Sequence, residues 1–151
     1  MILDQKVTIQ APIDKVWAFV DDMAKVSQCV PGVDSFEVLD ANTYLGAVKI
    51  KVGPIGVTLN GKITVVERDP ANHRSRLDVQ AAEKRLNSAV TVHATLAAVE
   101  QGAGQTELQI HTESSIMGKL GEFGQAVMRK KADQMVEEFA RNMAKAIASQ
   151  G

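Results

Sequence analysis

The sequence has little of several features that define whole classes of protein. Cys29 is the only cysteine among 151 residues, so no internal disulfide can form, and a reducing cytoplasm is the expected compartment. No apolar run approaches the roughly 18 residues that cross a bilayer, and the N-terminus does not resemble a leader. The formal net charge is -1 with both signs interspersed, which disfavours a nucleic-acid partner because phosphate binding needs a basic face.

Residues that usually carry catalysis or bind metals form no recognisable set. His73, His93 and His111 stand far apart in no ligand spacing, so solvated strand histidines explain them better than a metal site does. Cys29 lies near the end of a predicted short helix, where the helix dipole disfavours a reactive thiolate, so a buried structural thiol is favoured over a nucleophile. The sequence therefore predicts no catalytic residue, no metal ligand and no bound cofactor.

Alternation of apolar and polar residues dominates the middle of the chain, which predicts strands with one dry face and one wet face. A first strand over residues 3–10 precedes two short helices, one opening at Pro12 and one over Met23–Cys29 that Asp21-Asp22 caps. The predicted strands that follow cover residues 33–39, 44–52, 57–65, 76–81, 90–96 and 108–111.

A long amphipathic helix over residues 118–148 is the only large cover left for the dry face of this sheet. Its apolar stripe consists of Leu120, Phe123, Val127, Met135, Phe139, Met143 and Ile147. We therefore expect an α+β fold in one domain over residues 1–151: a curved antiparallel sheet of about seven strands gripping one long C-terminal helix.

Five stretches carry a family resemblance. They are Ala-Pro-Ile-Asp-Lys-Val-Trp at 11–17, Cys-Val-Pro-Gly-Val at 29–33, Val-Lys-Ile-Lys-Val-Gly-Pro-Ile at 48–55, Gly-Lys-Ile at 61–63 and Ile-Met-Gly-Lys-Leu-Gly at 116–121. Together they resemble the CoxG family, which takes its name from the G subunit of carbon monoxide dehydrogenase. That family belongs to the helix-grip (SRPBCC) superfamily of START domains, polyketide cyclases and the birch-pollen allergen.

This resemblance implies a cytoplasmic bacterial protein that serves a molybdenum hydroxylase of the carbon monoxide dehydrogenase type. The implied role is to carry a lipophilic quinone, menaquinone or ubiquinone, or to assist maturation or membrane recruitment of the enzyme. Some relatives continue past the long helix into an anchoring tail, whereas this chain stops at Gly151, so at most peripheral membrane contact is expected.

Small residues on the predicted inner faces, among them Gly46, Gly61 and Ala81, leave volume that one helix need not fill. Such a space would be an apolar pocket suited to a flat or chain-like lipophile, unless methionines and leucines fill it. The superfamily geometry puts its mouth where residues 53–56, residues 83–86 and the start of the long helix meet. The candidate lining residues are Val48, Ile50, Leu59, Ile63, Leu77, Val79, Val92, Leu120, Phe123 and Val127.

Other interpretations stay open at this stage. A cyclase-like or hydrolase-like enzyme would need an inward polar group such as Tyr44, Glu83 or His93. The glycines at the start of the long helix fit either close packing with an irregular helix start or a flexible lid. The basic triplet at 129–131 is more typical of a solvated helix face than of a contact with an anionic membrane or an acidic partner.

Overall fold

The computed structural model describes residues 1–150, whose strands all belong to one antiparallel sheet. The elements in chain order are β1 (Ile2–Ile9), α1 (Ile13–Val20), α2 (Met23–Cys29), β2 (Val33–Asp40), β3 (Thr43–Val52), β4 (Ile55–Asp69), β5 (Arg74–Glu83), β6 (Ser88–Gly102), β7 (Gln105–Met117) and α3 (Gln125–Ser149). The spatial order of the strands is β1-β7-β6-β5-β4-β3-β2. The predicted seven-stranded sheet with a long C-terminal helix is confirmed.

The register between the strands brings three small residues to one level of the inner face. Gly46 on β3 lies directly opposite Gly61 on β4, and Gly61 lies opposite Ala81 on β5. Side chains alternate along a strand, so the next inward positions lie two residues away. These positions carry larger residues, including the facing pair Tyr44 and Ile63. The sheet therefore has a shallow band without side-chain bulk across its β3–β5 half.

The two short helices form largely as their capping signals predict. The Asp22 carboxylate accepts hydrogen bonds from the backbone N–H groups of Ala24 at 3.1 Å and Lys25 at 3.2 Å, which confirms it as the cap of α2. Pro12 was predicted at the first helical position of α1 but occupies the cap position just before it, where its missing N–H loses no helical hydrogen bond either.

The long helix begins at Gln125, so the predicted start at residue 118 was wrong. Gly118 has a φ of 89°, and a Cβ at this position would lie 2.1 Å from the carbonyl oxygen of Asn87. A 3-10 turn over Lys119–Phe123 follows, and Gly124 breaks the backbone again with a φ of 83°. The glycines thus produce an irregular approach to the helix, as one of the two sequence interpretations held.

The fully buried residues of the long helix lie in its C-terminal half. Phe139, Met143 and Ile147 are buried against α1 and the ends of β1, β6 and β7, whereas Val127 in the first turn is 39% exposed. The predicted stripe from Leu120 to Ile147 therefore does not lie on one helix: Leu120 and Phe123 pack on the sheet from the preceding 3-10 turn, and Val127 is exposed. None of the helices within residues 1–150 combines the length and apolarity that would cross a bilayer.

Two further apolar clusters cover the rest of the inner face. In the first, Met23 of α2 packs with Tyr44 and Val65, and in the second Leu120 packs with Val52 and Val57. The cluster around Leu120 closes the sheet end at which β3, β5 and β7 finish. Space remains between these two clusters, under α2.

Candidate ligand-binding cavity

A cavity of about 240 Å³ lies between α2 and the inner face of the sheet. The helix contributes one wall, the edge strand β2 contributes a second, and β3 to β6 form the floor. The lining residues are Met23, Val26, Ser27, Val30, Val33, Ser35, Phe36, Gly46, Ala47, Val48, Leu59, Gly61, Ile63, Val79, Ala81, Val90 and Val92.

The cavity exists because the sheet carries only small residues at the level that the short helix α2 covers. Gly46, Gly61 and Ala81 form the band described above, and all three line the cavity. α2 has only seven residues and so spans about 10 Å, which is too short to press side chains into the whole band. The predicted space between sheet and helices is therefore present, although its cover is a short helix and not the long one.

The cavity wall consists almost entirely of hydrocarbon. No acid, base or thiol occurs among its lining residues within the described part of the chain. Ser27 and Ser35 are the polar side chains in the set. Ser27 Oγ donates to the carbonyl oxygen of Ala24 at 2.7 Å in its own helix. Ser35 is exposed and also borders a shallow recess on the outer face of the sheet, beside Lys62 and Gln80.

Comparison with known proteins identifies the family. The profile of the CoxG family (carbon monoxide dehydrogenase, G subunit) matches residues 6–148. The chain belongs to the CoxG family. No curated protein sequence matches this CoxG chain.

Solved structures show the same fold as this CoxG chain. A conserved protein from Geobacillus kaustophilus is 18% identical with a TM-score of 0.89, the alignment covering 99% of this chain and 96% of that one. A START superfamily protein from Mycobacterium smegmatis is 13% identical with a TM-score of 0.74, covering 99% of both chains. The Zhui aromatase/cyclase from Streptomyces sp. R1128 is 16% identical with a TM-score of 0.59, covering 99% and 92%. The CoxG chain therefore has the helix-grip fold of START-like proteins.

The structure brings together half of the ten lining residues that the sequence predicts. Val48, Leu59, Ile63, Val79 and Val92 line the cavity. The other five lie elsewhere, and their places are described next.

The predicted residues outside the cavity belong mainly to the packed clusters. Ile50, Leu120 and Phe123 lie in the cluster that also contains Val52 and Val57, with Leu120 fully buried. Leu77 packs in the cluster around Met23, and Val127 lies on the exposed surface of α3.

The three segments expected to frame a mouth do meet, but their junction is filled. Arg85 Nη2 donates to the carbonyl oxygen of Gly56 at 3.1 Å, which joins the β5–β6 connection to the β3–β4 hairpin. The Leu120 N–H donates to Ser88 Oγ at 2.9 Å, and the Leu120 side chain is fully buried at this junction. The solvent side of the cavity is at the edge strand instead, where Val33 is 37% exposed and Ser35 is exposed.

Sequence reasoning missed the residues that α2 contributes to the cavity. Met23, Val26 and Val30 are three or four residues apart, which is the spacing of one helical face. That signal was visible, but it is also typical of ordinary core packing. Phe36 was missed because β2 departs from regular pairing between Val33 and Ser35, which alters the inward register of this strand.

Two of the three polar groups considered for an enzyme are held by other contacts. Tyr44 Oη donates to the carbonyl oxygen of Ala41 at 2.7 Å and accepts from Arg68 Nη2 at 3.2 Å. His93 lies on the outer face, where its Nδ1 is 2.7 Å from Asp78 Oδ1. Neither side chain reaches the cavity.

The third group, Glu83, is a buried carboxylate that stabilises the end of β5. It accepts hydrogen bonds from the backbone N–H groups of Thr58 and Arg85 and lies 3.6 Å from the Arg85 guanidinium. The Thr58 N–H is the main reason that the pKa of Glu83 lies below its usual value, and Arg85 lowers it further. A carboxylate held in this way serves as an anchor between strands and is not available as a general base.

The single cysteine and the remaining histidines also have structural surroundings. Cys29 is buried in the main core, and burial raises the pKa of its thiol, so the reactive thiolate is disfavoured. His111 Nδ1 lies 2.6 Å from Asp4 on the outer face, and the His73 ring meets Trp17 edge-on with 5.8 Å between ring centroids.

Proposed function

We propose that this CoxG chain binds a lipophilic molecule in the cavity under α2, with a quinone such as menaquinone or ubiquinone as the first candidate. The observation that carries the proposal is a hydrocarbon-walled space of about 240 Å³ in a member of this family. Apolar pockets with few polar groups favour lipophiles because burial from water stabilises the complex by about 0.8 kcal/mol per methylene group.

The volume indicates that the cavity takes part of a large lipophile. Pockets that enclose a drug-sized ligand usually measure about 300–1,000 Å³, so this cavity is below that range. Its exposed side at Val33 and Ser35 lets the remainder of a long molecule stay outside. A partly enclosed ligand fits a carrier, since the bound molecule must also be released.

The biological role that we propose is an accessory one. Family membership supports service to a molybdenum hydroxylase of the carbon monoxide dehydrogenase type, to which the carrier would deliver its ligand.

We further propose that residues 1–151 form one domain that acts in a bacterial cytoplasm, at most in peripheral contact with a membrane. The unpaired, buried Cys29 supports a reducing compartment.

An enzymatic use of the same cavity has less support. The aromatase/cyclase among the structural neighbours shares the fold at 16% identity, which says nothing about its chemistry here. Acid–base catalysis needs a titratable group within hydrogen-bonding reach of the substrate, and the lining residues supply none.

The direct test of the proposal is to extract purified protein with organic solvent and to identify lipophiles by mass spectrometry. We expect a quinone in the extract, and a rise in the thermal midpoint of stripped protein when menaquinone or ubiquinone analogues are added. Repeated empty extracts with no thermal shift would remove the carrier function.

A second experiment separates a carrier from a protein that acts only by its surface. Ala81 points into the cavity, and its neighbour Ala82 is exposed on the opposite face. Ala81→Leu should abolish quinone retention, whereas Ala82→Leu should preserve it. If both variants still support the partner hydroxylase fully in cells, docking alone explains the role.

A further inference from the structure

The cavity walls offer almost no hydrogen-bonding group to an oxygen atom of a ligand. The hydroxyl of Ser27 is engaged within its own helix at 2.7 Å, and Ser35 lies on the exposed edge strand. Across the floor, β3 pairs without interruption with β4 from Thr43 to Val52, and backbone N–H groups in a sheet lie in its plane, directed at neighbouring strands and not at the space above them. A ligand carbonyl group placed inside would lose its hydrogen bonds to water and would find no free protein donor.

Buried polar groups elsewhere cannot help, since they already have partners. Glu83 accepts from two backbone N–H groups, and Ser88 Oγ donates to the Leu86 carbonyl oxygen while accepting from the Leu120 N–H. Thr106 Oγ1 donates to the carbonyl oxygen of Ala11. None of these residues lines the cavity.

The opening is the first place where an oxygen atom can meet water. Val33 and Ser35 on β2 are the exposed members of the lining set, whereas Met23 on α2 and Ala47 on β3 are its buried members. An elongated ligand that enters at β2 therefore passes from a wet rim to a dry floor.

We infer that the cavity binds the hydrocarbon segment of its ligand, an isoprenoid or acyl chain, and leaves the oxygen-bearing group at the rim between α2 and β2. This inference rests on the proposed function and assigns the orientation of the ligand. A quinone enters tail first, and its ring stays accessible at Ser35. Each oxygen moved inside without a partner would weaken binding by roughly tenfold to a hundredfold, whereas each buried methylene strengthens it by about fourfold.

The test compares three probes on lipid-stripped protein by isothermal titration: farnesol, menadione, and a menaquinone with a short isoprenoid tail. Menadione has the oxygenated ring without a tail, and farnesol has a tail without the ring. We expect farnesol and the tailed menaquinone to bind with similar affinity and menadione at least about tenfold more weakly. Ala81→Leu should weaken the two tailed probes by tenfold or more, and Ala82→Leu should leave them unchanged.

A chemical readout locates the ring independently. Bound short-tail menaquinone should be reduced by dithionite, a water-soluble anion, nearly as fast as the same molecule in detergent micelles. Menadione binding as tightly as the tailed menaquinone, or a bound ring protected from dithionite, would overturn the orientation while leaving the carrier function intact. Failure of all three probes to bind would overturn the proposed function itself.

Discussion

Filling the cavity from its floor should stabilise the ligand-free protein. Ala81→Leu adds three carbon atoms beside Gly61, at a point where the lining residues leave space. Burying them contributes about 0.8 kcal/mol each, and fixing the leucine rotamer costs about 0.5–1 kcal/mol, so the net gain is about 1.5 kcal/mol. For a chain of this length, that gain corresponds to a rise of about 3–6 °C in the thermal midpoint.

The assay is urea and thermal unfolding of lipid-stripped protein, with Ala82→Leu as the matched control. Ala82 is exposed and precedes Glu83 on the same strand, so its leucine gains little burial and should change stability by less than about 0.5 kcal/mol. In a well-packed interior the same enlargement usually costs about 1–3 kcal/mol. If Ala81→Leu destabilises the stripped protein by such an amount, the space is not there, and both functional proposals lose their basis.

Three further predictions test the surrounding structure. The Asp4 hydrogen bond is the main reason that the pKa of His111 lies above its ordinary 6.5. The protonated imidazole therefore stabilises the fold fully below pH 6.5, and this contribution is lost as pH rises past the raised pKa. His111→Asn should reduce the change of the urea unfolding midpoint with pH over this range. Arg68→Ala should cost about 1–2 kcal/mol in urea unfolding, because it removes hydrogen bonds that join α1, the β2–β3 turn and β4. Gly118→Ala should cost about 2 kcal/mol or more by the same assay, whereas Gly56→Ala, with open space at its Cβ, should not.

Local signals explain why much of the fold could be predicted. The α2 helix was predicted with its observed bounds, Met23–Cys29, because an aspartate cap precedes it and a proline–glycine pair follows it. The start of α3 could not be predicted in the same way. Apolar spacing continues through Leu120 and Phe123 although the backbone there is not α-helical, and periodicity does not register a positive φ at Gly118 or Gly124.

Strand alternation likewise predicts only part of the site. It states correctly that Val48, Leu59 and Ile63 face inward, but it cannot tell which level of the inner face stays open. That level depends on which helix covers it. Leu120 and Phe123 occupy the level that the superfamily geometry had assigned to the mouth, so Ile50 beside them is packed and not free to bind.

The energetic balance of the cavity explains why an occupant is the simplest account of it. Residual cavity volume in protein cores costs about 24 cal/mol per Å³, so 240 Å³ would cost about 6 kcal/mol if it were fully enclosed, and less here because the space opens at β2; domains are usually stable by 5–15 kcal/mol. The space is present although a larger side chain at Ala81 would partly fill it, and although α2 has three apolar residues above it. The hydrocarbon part of a ligand would supply the missing van der Waals contacts and would need no hydrogen-bonding partner. It is therefore the kind of occupant that these walls can stabilise.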